Sequence, residues 1–419
     1  MRKIKYEALY KKCEINKGIT PTICYLKITN KCNLNCYFCS QKDNNRYTDM
    51  TIKVYKKLLH ELKSNNVNEI IFTGGEPLCN TNCLKMIKMA YDMNFQLSLI
   101  TNLTYDNLES IKDIFKYVNS VGVSLYGIGK VHDNIVSKIG TFKKISLNLE
   151  KIKEYNNRLN INVNCTLVKE NMQYSILNEL MSFCDDKEYS LNFARINFIG
   201  GSANSYTKDY IADMNKVLEE LVNMNIKINI SNCIAPCILN EKIKFLSHGC
   251  GAGLSFFSIE SNGDVTICAS SKEVIGNISE SKLRTIFKSN KIKEYKSLKW
   301  LPTYCIVCKH SLYCRGGCHA EKNETLGKYI NDKTVINNNE LILNDFLEKK
   351  PLMVNNKCYK YFNKYILEVT QIRIVNFTAI EVLSKFNGEN TVKKILDDYN
   401  NSNEIREFMI AIIKDGIIK

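Results

Sequence analysis

Three cysteines stand close together near the start of the chain, in the stretch Cys32-Asn33-Leu34-Asn35-Cys36-Tyr37-Phe38-Cys39, hereafter the cysteine loop. Three thiolates can hold three irons of a 4Fe–4S cluster and leave the fourth iron open to another ligand. A zinc knuckle also uses close cysteine pairs, but structural zinc takes four protein ligands, and no nearby Cys or His completes this group. The spacing therefore favours an iron–sulfur site.

A second motif, Thr73-Gly74-Gly75-Glu76-Pro77-Leu78, follows a short apolar run. Its glycines let a backbone approach a ligand closely, and Glu76 brings a negative charge that suits an ammonium group. Four further polar residues end other predicted strands: Asn102, Ser124, Asn171 and Arg195. A loop-capping role is the alternative for each of these four.

More cysteines crowd the second half of the chain. Cys250, Gly263 and Cys268 follow the pattern C-x(12)-G-x(4)-C. They are followed by Cys305, Cys308, Cys314, Cys318 and, after a gap, Cys358. A zinc ribbon is the alternative to iron–sulfur clusters here, since Cys-x-x-Cys pairs suit zinc too.

The elements that must position these residues alternate between short apolar runs and amphipathic stretches. Six strands are predicted, at residues 24–29, 69–73, 96–101, 120–125, 160–167 and 191–197. Helices are predicted between them, for example at 51–63 and 107–117. Repeated strand–helix units predict an α/β fold with a parallel sheet, which places its chemistry at the carboxyl ends of the strands.

Composition narrows the class of protein. The chain has 419 residues, 45% of them hydrophobic and 24% charged, which is ordinary for a globular protein. The net charge of +15 comes from lysines on amphipathic faces, so we expect neither a nucleic-acid partner nor a membrane. No signal peptide and no membrane-spanning run is visible, which predicts a cytoplasmic protein. Eighteen cysteines in that reducing compartment are not a disulfide framework.

The cysteine loop and the Gly-Gly-Glu-Pro motif together resemble the radical S-adenosylmethionine (SAM) family. The resemblance implies a partial (β/α)6 TIM-like barrel with a 4Fe–4S cluster on Cys32, Cys36 and Cys39. It also implies a SAM site made of Phe38, Gly74, Gly75, Glu76, Pro77, Asn102, Ser124, Asn171 and Arg195. The family often has an Arg shortly after a His-Asp pair, whereas this chain has Val136 at that position. Lys138 is a candidate to bind the carboxylate of SAM instead, and the alternative is that the carboxylate is held by other groups; the sequence leaves this open.

The distal cysteines resemble, cysteine for cysteine, the SPASM extension of radical SAM enzymes that act on peptides and proteins. The resemblance implies two auxiliary 4Fe–4S clusters, the first on Cys250, Cys268 and Cys318 and the second on Cys305, Cys308, Cys314 and Cys358. A fourth ligand of the first cluster would be Cys233 or Cys237, and Cys237 is favoured because it is nearer to Cys250. If neither binds, an iron is open to a substrate thiolate.

Residues 361–419 change pattern again. Two short strands, at 365–369 and 373–377, precede three helices centred near Val382, Ile395 and Met409. This segment resembles the peptide chaperone domain of pyrroloquinoline quinone biosynthesis, which implies binding of a leader peptide by β-augmentation. A winged-helix-like α+β appendage is the alternative. The predicted domains are thus residues 1–21, an N-terminal segment; 22–205, the radical SAM core; 206–360, a linker with the SPASM domain; and 361–419.

These resemblances imply a radical SAM peptide maturase. Reductive SAM cleavage would give a 5′-deoxyadenosyl radical that abstracts hydrogen from a ribosomally made precursor peptide, leading to a thioether or carbon–carbon cross-link. SAM, three 4Fe–4S clusters and a flavodoxin- or ferredoxin-type electron donor are implied with it. An anaerobic sulfatase-maturing enzyme, which makes formylglycine, is the alternative; such enzymes carry an acid where Ala269 follows Cys268, so the sequence disfavours it. A zinc-rich, basic nucleic-acid-binding protein is an alternative from another class. The Gly74-Gly75-Glu76 motif and the six strand–helix units stand against it, because such a protein needs neither.

Overall fold

A computed structural model describes most of the chain: residues 20–41, 49–197, 208–298, 300–301, 305, 314–321, 357–361, 364–368, 372–375, 385, 391–399, 405–406 and 409–410. The chain forms two compact units. The first comprises Met1–Cys233, Leu239–Leu246 and Gly251–Ile292, and the second Ile234–Ile238, Ser247–Cys250 and Lys293–Lys419.

A nine-stranded sheet organises the first unit. Its strands are β1 (Ile23–Lys27), β2 (Glu69–Thr73), β3 (Gln96–Thr101), β4 (Ser120–Ser124), β5 (Asn160–Leu167), β6 (Ser190–Arg195), β7 (Phe256–Ile259), β8 (Asp264–Thr266) and β9 (Val274–Asn277). The order across the sheet is β6-β5-β4-β3-β2-β1-β7-β8-β9. Strands β1 to β6 are parallel, as the sequence predicted, and β7 adds a further parallel strand beside β1. The antiparallel strands β8 and β9, and β7 itself, were not predicted.

Helices connect the parallel strands, and two short helices come directly after β9. They are α1 (Ile52–Ser64), α2 (Cys83–Asp92), α3 (Ile114–Tyr117), α4 (Lys130–Ile135), α5 (Thr141–Tyr155), α6 (Tyr174–Asp186), α7 (Lys208–Asn223), α8 (Leu283–Phe287) and α9 (Asn290–Ser297). Helix α1 begins at Thr51, whose side chain accepts a hydrogen bond from the amide of Val54 and so satisfies one free N–H of the first turn.

The prediction of one helix over residues 107–117 is wrong. The segment forms a 3₁₀ turn, Leu108–Ile111, followed by the four-residue helix α3. Asn107 and Ser110 bond to each other's backbone, since the Asn107 side chain accepts from the Ser110 amide and the Ser110 hydroxyl donates to the Asn107 carbonyl. Such local bonds compete with the hydrogen bonds of an α-helix.

The two faces of the parallel sheet differ in polarity. One face is apolar and fully buried; it includes Leu26, Phe72, Leu99, Val121 and Val163. The opposite face, hereafter the polar face, is half-exposed and carries Ser98, Ser120, Ser124, Asn162, Asn164 and Asn192. Parallel strands packed on both sides are usually apolar on both. An open parallel sheet with a polar, accessible face agrees with a partial TIM-like barrel.

The second unit contains a three-stranded antiparallel sheet, described by its backbone. Strand β10 (Lys357–Tyr361) pairs with β11 (Lys364–Glu368), which pairs with β12 (Ile372–Val375). The predicted strands at 365–369 and 373–377 correspond to β11 and β12. Helix α10 (Val392–Asp398) confirms the predicted helix near Ile395. Val382 lies outside the described residues, and a winged-helix-like arrangement stays a prediction.

Among the described residues, no helix combines the length and the apolar character needed to cross a membrane.

Candidate functional site

The cysteine loop follows β1, and its thiols are more exposed than the cysteines packed in the core of the first unit. Cys32 is exposed, and Cys36 and Cys39 are partly exposed. The cysteines packed in the core of the first unit are buried instead: Cys24, Cys83, Cys165 and Cys184. Exposure on one loop is what thiol ligands of a cofactor require, and burial is what small core side chains show.

Side chains from the end of β3 anchor the cysteine loop. The Asn102 Nδ2 donates to Asn33 Oδ1 at 2.9 Å and lies 3.8 Å from Cys32 Sγ. Asn33 Nδ2 donates in turn to the Thr104 hydroxyl at 2.8 Å. Asn102 is therefore placed to orient the loop, and its predicted contact with SAM stays a prediction.

An aromatic group anchors the other end of the loop. The Phe38 ring meets the Tyr126 ring edge-on at 5.0 Å, and Tyr126 stacks on His132 at 5.4 Å. Tyr126 is buried beside Ser124 and near Cys36, and burial raises the pKa of its phenol well above the ordinary value. Ser124, one of the residues predicted to contact SAM, ends β4 and lies beside Tyr126.

His132 was not assigned a role from the sequence. Its Nδ1 accepts a hydrogen bond from the Tyr126 amide at 3.2 Å, which makes Nε2 the protonated nitrogen of the neutral ring. Nε2 is buried and has no hydrogen-bond partner among the described residues. Burial lowers the pKa of His132 to about 4. The ring therefore stays neutral and holds the backbone of Tyr126 behind Phe38.

The Gly-Gly-Glu-Pro motif packs against the segment that leads into Cys32. The Gly75 amide donates to Thr29 O at 2.9 Å, and the Glu76 amide donates to Lys31 O at 2.7 Å. A Cβ added at Gly74 would lie 2.2 Å from Thr29 O, and one added at Gly75 would lie 2.2 Å from Lys31 O. Glycine is required at both positions because the backbone of the motif touches the backbone of the segment that leads into Cys32. Pro77 follows in a 3₁₀ turn, Pro77–Cys79.

Glu76 is almost fully buried, with 2% of its surface exposed. Its carboxylate accepts hydrogen bonds from the Thr101 hydroxyl at 2.7 Å, the Asn102 amide at 2.6 Å and the Leu78 amide at 3.1 Å. Burial raises the pKa of Glu76 to about 7, although these three donors act in the opposite direction. Glu76 thus ties the end of β2 to the end of β3, and contact with an ammonium group of SAM stays a prediction.

Asn171 and Arg195, predicted at the ends of β5 and β6, are buried and bonded to the protein. Asn171 Nδ2 donates to Tyr126 O at 3.0 Å and to Thr166 O at 2.9 Å. Arg195 Nε donates to Cys233 O at 3.1 Å. These contacts fit the capping alternative, and the predicted cofactor contacts of both residues stay predictions.

The donor set of the cysteine loop fits an iron–sulfur cluster. Thiolates are the ligands that iron–sulfur clusters use, and a bound metal deprotonates a coordinating thiol. No three Cys, His, Asp or Glu side chains of the described ranges gather around a position for a single metal ion. In a 4Fe–4S cluster each thiolate binds a different iron.

The second group of cysteines divides between the two units. Cys268 belongs to the first unit, whereas Cys237, Cys250, Cys305, Cys314 and Cys318 belong to the second. Cys308 lies outside the described residues, and of Cys358 only the backbone, in β10, is described. Their assignment to auxiliary clusters stays a prediction.

Residues 268–271, hereafter the 268 turn, are held closely within the first unit. The Thr266 hydroxyl donates to Cys268 O at 2.9 Å, and Asn197 Nδ2 donates to the Ser270 hydroxyl at 3.0 Å. Gln41 Nε2 donates to Ala269 O at 3.3 Å. Local sequence motifs do not reveal Gln41, because this contact joins residues that are far apart in sequence.

A buried ion pair lies beside this contact and was also missed from the sequence. Lys27 Nζ donates to Glu260 Oε1 at 2.7 Å and to Gln41 Oε1 at 3.0 Å. The side chains of Lys27 and Glu260 are 4% and 17% exposed. A lysine at the end of a strand that otherwise reads as apolar was the available signal, since buried charges in proteins are paired.

Comparison with known proteins identifies two regions of the chain. Residues 26–178 match the family model described as the Radical SAM superfamily. Residues 250–314 match the model named SPASM, described as an iron–sulfur cluster-binding domain.

Individual relatives match over most of the chain. The AdoMet-dependent heme synthase of Methanosarcina barkeri is 22% identical, over 75% of this chain and 95% of the relative. The PqqA peptide cyclase of Bradyrhizobium diazoefficiens is 21% identical, over 72% and 82%. The crystal structure of Streptococcus suis SuiB bound to its precursor peptide SuiA has a TM-score of 0.59 at 18% identity, covering 75% of each chain, and shows a shared fold.

Proposed function

Because this chain is an enzyme of the radical SAM superfamily with an iron–sulfur cluster-binding SPASM domain, we propose that it matures a ribosomally made peptide. When bound at the cysteine loop, a reduced cluster and SAM supply a 5′-deoxyadenosyl radical that takes hydrogen from a substrate carbon. The proposed outcome is an oxidative thioether or carbon–carbon cross-link in a precursor peptide.

One observation carries the proposal: the cysteine loop gathers three exposed or partly exposed thiols within eight residues, and three neighbouring strand ends hold it. Asn102 after β3, Tyr126 after β4 and the Gly-Gly-Glu-Pro motif after β2 all contact it or its approach. Carboxyl ends of parallel strands are where α/β folds place cofactors. The proposed cluster ligands are Cys32, Cys36 and Cys39.

The chain's own residues orient and enclose the site. Asn102 and Thr104 fix Asn33, and Tyr37 donates to Glu170 Oε2 at 2.7 Å, so both ends of the loop are tied to the barrel. Lys138 Nζ lies 3.5 Å from Asn33 O. We assign Lys138 to the carboxylate of SAM, in place of the Arg that the chain lacks at Val136.

Two kinds of observation support a peptide substrate: similar proteins and the three-stranded sheet of the second unit. The names of two similar proteins refer to a peptide substrate and a bound precursor peptide. The sheet β10–β11–β12 supports leader binding, because an outer strand of a short antiparallel sheet offers unpaired backbone groups to an incoming strand. Three clusters and a flavodoxin- or ferredoxin-type donor belong to the same proposal.

Formylglycine formation remains the second candidate, and one contact favours it more than the sequence did. In the sequence, the missing acid after Cys268 disfavours it. Gln41 binds both Ala269 O and Lys27, and Lys27 binds Glu260. The carboxylate of Glu260, at the end of β7, is therefore linked to the 268 turn through Lys27 and Gln41. It offers an acidic group near the position where the sequence lacks one.

The proposal is tested on protein purified and reconstituted without oxygen. We expect about twelve irons per chain and dithionite-driven conversion of SAM to 5′-deoxyadenosine. Zinc without iron would contradict the enzyme assignment. The short peptides encoded beside the gene are the first substrates to try, and an aldehyde at a single Cys or Ser would support the second candidate instead.

A further inference from the structure

The buried pair Lys27–Glu260 has no part in the proposed SAM chemistry. Lys27 is the last residue of β1, five residues before Cys32, and Glu260 directly follows β7. Burying a charged pair in a protein costs desolvation free energy that the mutual attraction of the charges does not always offset. Stability alone is therefore a weak explanation for the pair.

Both side chains lie on the polar face of the sheet. Tyr25 shares that face of β1 with Lys27, because side chains alternate along a strand, and its ring contacts Phe256 of β7 at 5.4 Å. Leu26, between them, is fully buried on the opposite face. The ion pair thus joins the carboxyl ends of β1 and β7 on the polar face.

Gln41 extends the pair to the 268 turn. It stands two residues after Cys39, its Oε1 accepts from Lys27 Nζ, and its Nε2 donates to Ala269 O and, at 3.4 Å, to the Ser40 hydroxyl. The ammonium requires the amide oxygen to face Lys27, which leaves the amide nitrogen for the carbonyl of Ala269. The charge of Lys27 thereby sets the direction of the Gln41 amide.

We propose that Lys27, Glu260 and Gln41 form a bridge that positions the 268 turn relative to the cysteine loop. Gln41 is the positioning residue, and the ion pair keeps its amide in the direction that binds Ala269. This inference rests on the proposed function, in which Cys39 and Cys268 hold different clusters. The bridge then fixes a ligand of the first auxiliary cluster against the loop of the SAM-binding cluster.

The test exchanges the charges in the holoenzyme. In K27E/E260K the ion pair is retained, but the new carboxylate at residue 27 attracts the amide nitrogen of Gln41. The amide oxygen then faces Ala269 O, and two acceptors cannot bond. In Q41E the contact to Lys27 is retained and the donor to Ala269 is lost. We expect both variants to keep their iron and to show faster hydrogen exchange at residues 269–271.

Where electron paramagnetic resonance of the unaltered, reconstituted enzyme shows a magnetic interaction between reduced clusters, the same variants should weaken it. The matched control is K88D/D92K, which exchanges an exposed ion pair of α2 and should change neither measurement. Wild-type exchange rates and wild-type coupling in K27E/E260K and Q41E would overturn the bridge. If the unaltered chain binds no iron, the proposed function fails instead, and the exchange measurement alone decides the bridge.

Discussion

Two cysteine-bearing segments of the first unit are built in different ways. The cysteine loop carries its three candidate ligands within eight residues and is held by the ends of neighbouring strands. The 268 turn carries one candidate ligand, Cys268, and is held by Gln41 and Asn197, which are distant in sequence. A local motif thus defines the first site, whereas tertiary contacts define the second.

The two segments should therefore tolerate different substitutions. Changes at the cysteine loop should abolish the chemistry, because a cluster with one open iron needs all three of its thiolates. Changes at the 268 turn should leave SAM cleavage in place and affect only the later steps of the reaction. We therefore expect the largest effects at the cysteine loop.

Cys32→Ala, Cys36→Ala and Cys39→Ala should each abolish 5′-deoxyadenosine formation, since an open-iron cluster needs all three thiolates. Cys268→Ala should retain SAM cleavage while losing iron, up to about four atoms per chain. Chromatographic assay of deoxyadenosine and iron analysis measure both effects. The control is Cys184→Ala, which changes a buried cysteine of α6 and should keep full activity and full iron. SAM cleavage that survives in Cys36→Ala would contradict the assignment of the cluster ligands.

Gly75→Ala should destabilise the chain by about 3 kcal/mol, because the new Cβ would overlap Lys31 O and push the approach to Cys32 away. The matched control is Gly140→Ala. Gly140 has a φ of +80° but no atom within 4 Å of an added Cβ, so only about 1 kcal/mol of backbone strain is expected. Denaturant unfolding measures both, and an equal cost at the two glycines would show that the close packing is unimportant.

Lowering the pH from about 6.5 to 4 should destabilise the first unit through His132. Its pKa is lowered to about 4 in the folded chain from an ordinary 6.5, so over this range the unfolded chain takes up a proton that the folded chain does not. The expected loss is about 2–3 kcal/mol, complete near pH 4. His132→Gln should flatten this dependence in chemical unfolding curves, and His60→Gln, at an exposed position of α1, should not; a profile unchanged by His132→Gln would refute the role.

Lys138→Ala should weaken SAM binding about tenfold, the effect of one lost charge-assisted hydrogen bond, without loss of iron. Isothermal titration of the reconstituted enzyme with SAM measures it. Lys88→Ala, which removes an exposed lysine of α2, is the control. Equal affinities for SAM in Lys138→Ala and the unaltered enzyme would show that Lys138 does not bind the carboxylate of SAM.

Much of the first unit could be predicted from the sequence. Strands β2, β3 and β5 have their predicted bounds, since alternation of buried and half-exposed residues is strong in each. Strands β7 to β9 were missed because they are only three or four residues long and lie among cysteines and turns. Short strands joined by tertiary pairing leave little periodicity to detect.

The candidate site divides in the same manner. Spacing alone was enough to propose Cys32, Cys36 and Cys39 as ligands. The role of Glu76 as a buried link between β2 and β3, and the bridge from Lys27 to Ala269, depend on residues brought together across strands. Such contacts leave no local pattern in the sequence. Sequence motifs therefore predict that Glu76 binds a ligand, and they do not indicate that Gln41 contacts the 268 turn.

The most direct test of peptide maturation uses a uniformly deuterated precursor peptide taken from the reading frames beside this gene. The reconstituted enzyme is incubated with that peptide, SAM and dithionite, and both products are analysed by mass spectrometry. We predict that 5′-deoxyadenosine gains one deuterium. The peptide should lose two carbon-bound deuterium atoms if the cross-link is carbon–carbon, and one, together with the exchangeable thiol hydrogen, if it is a thioether. Deoxyadenosine without deuterium, together with unchanged peptides, would contradict peptide maturation.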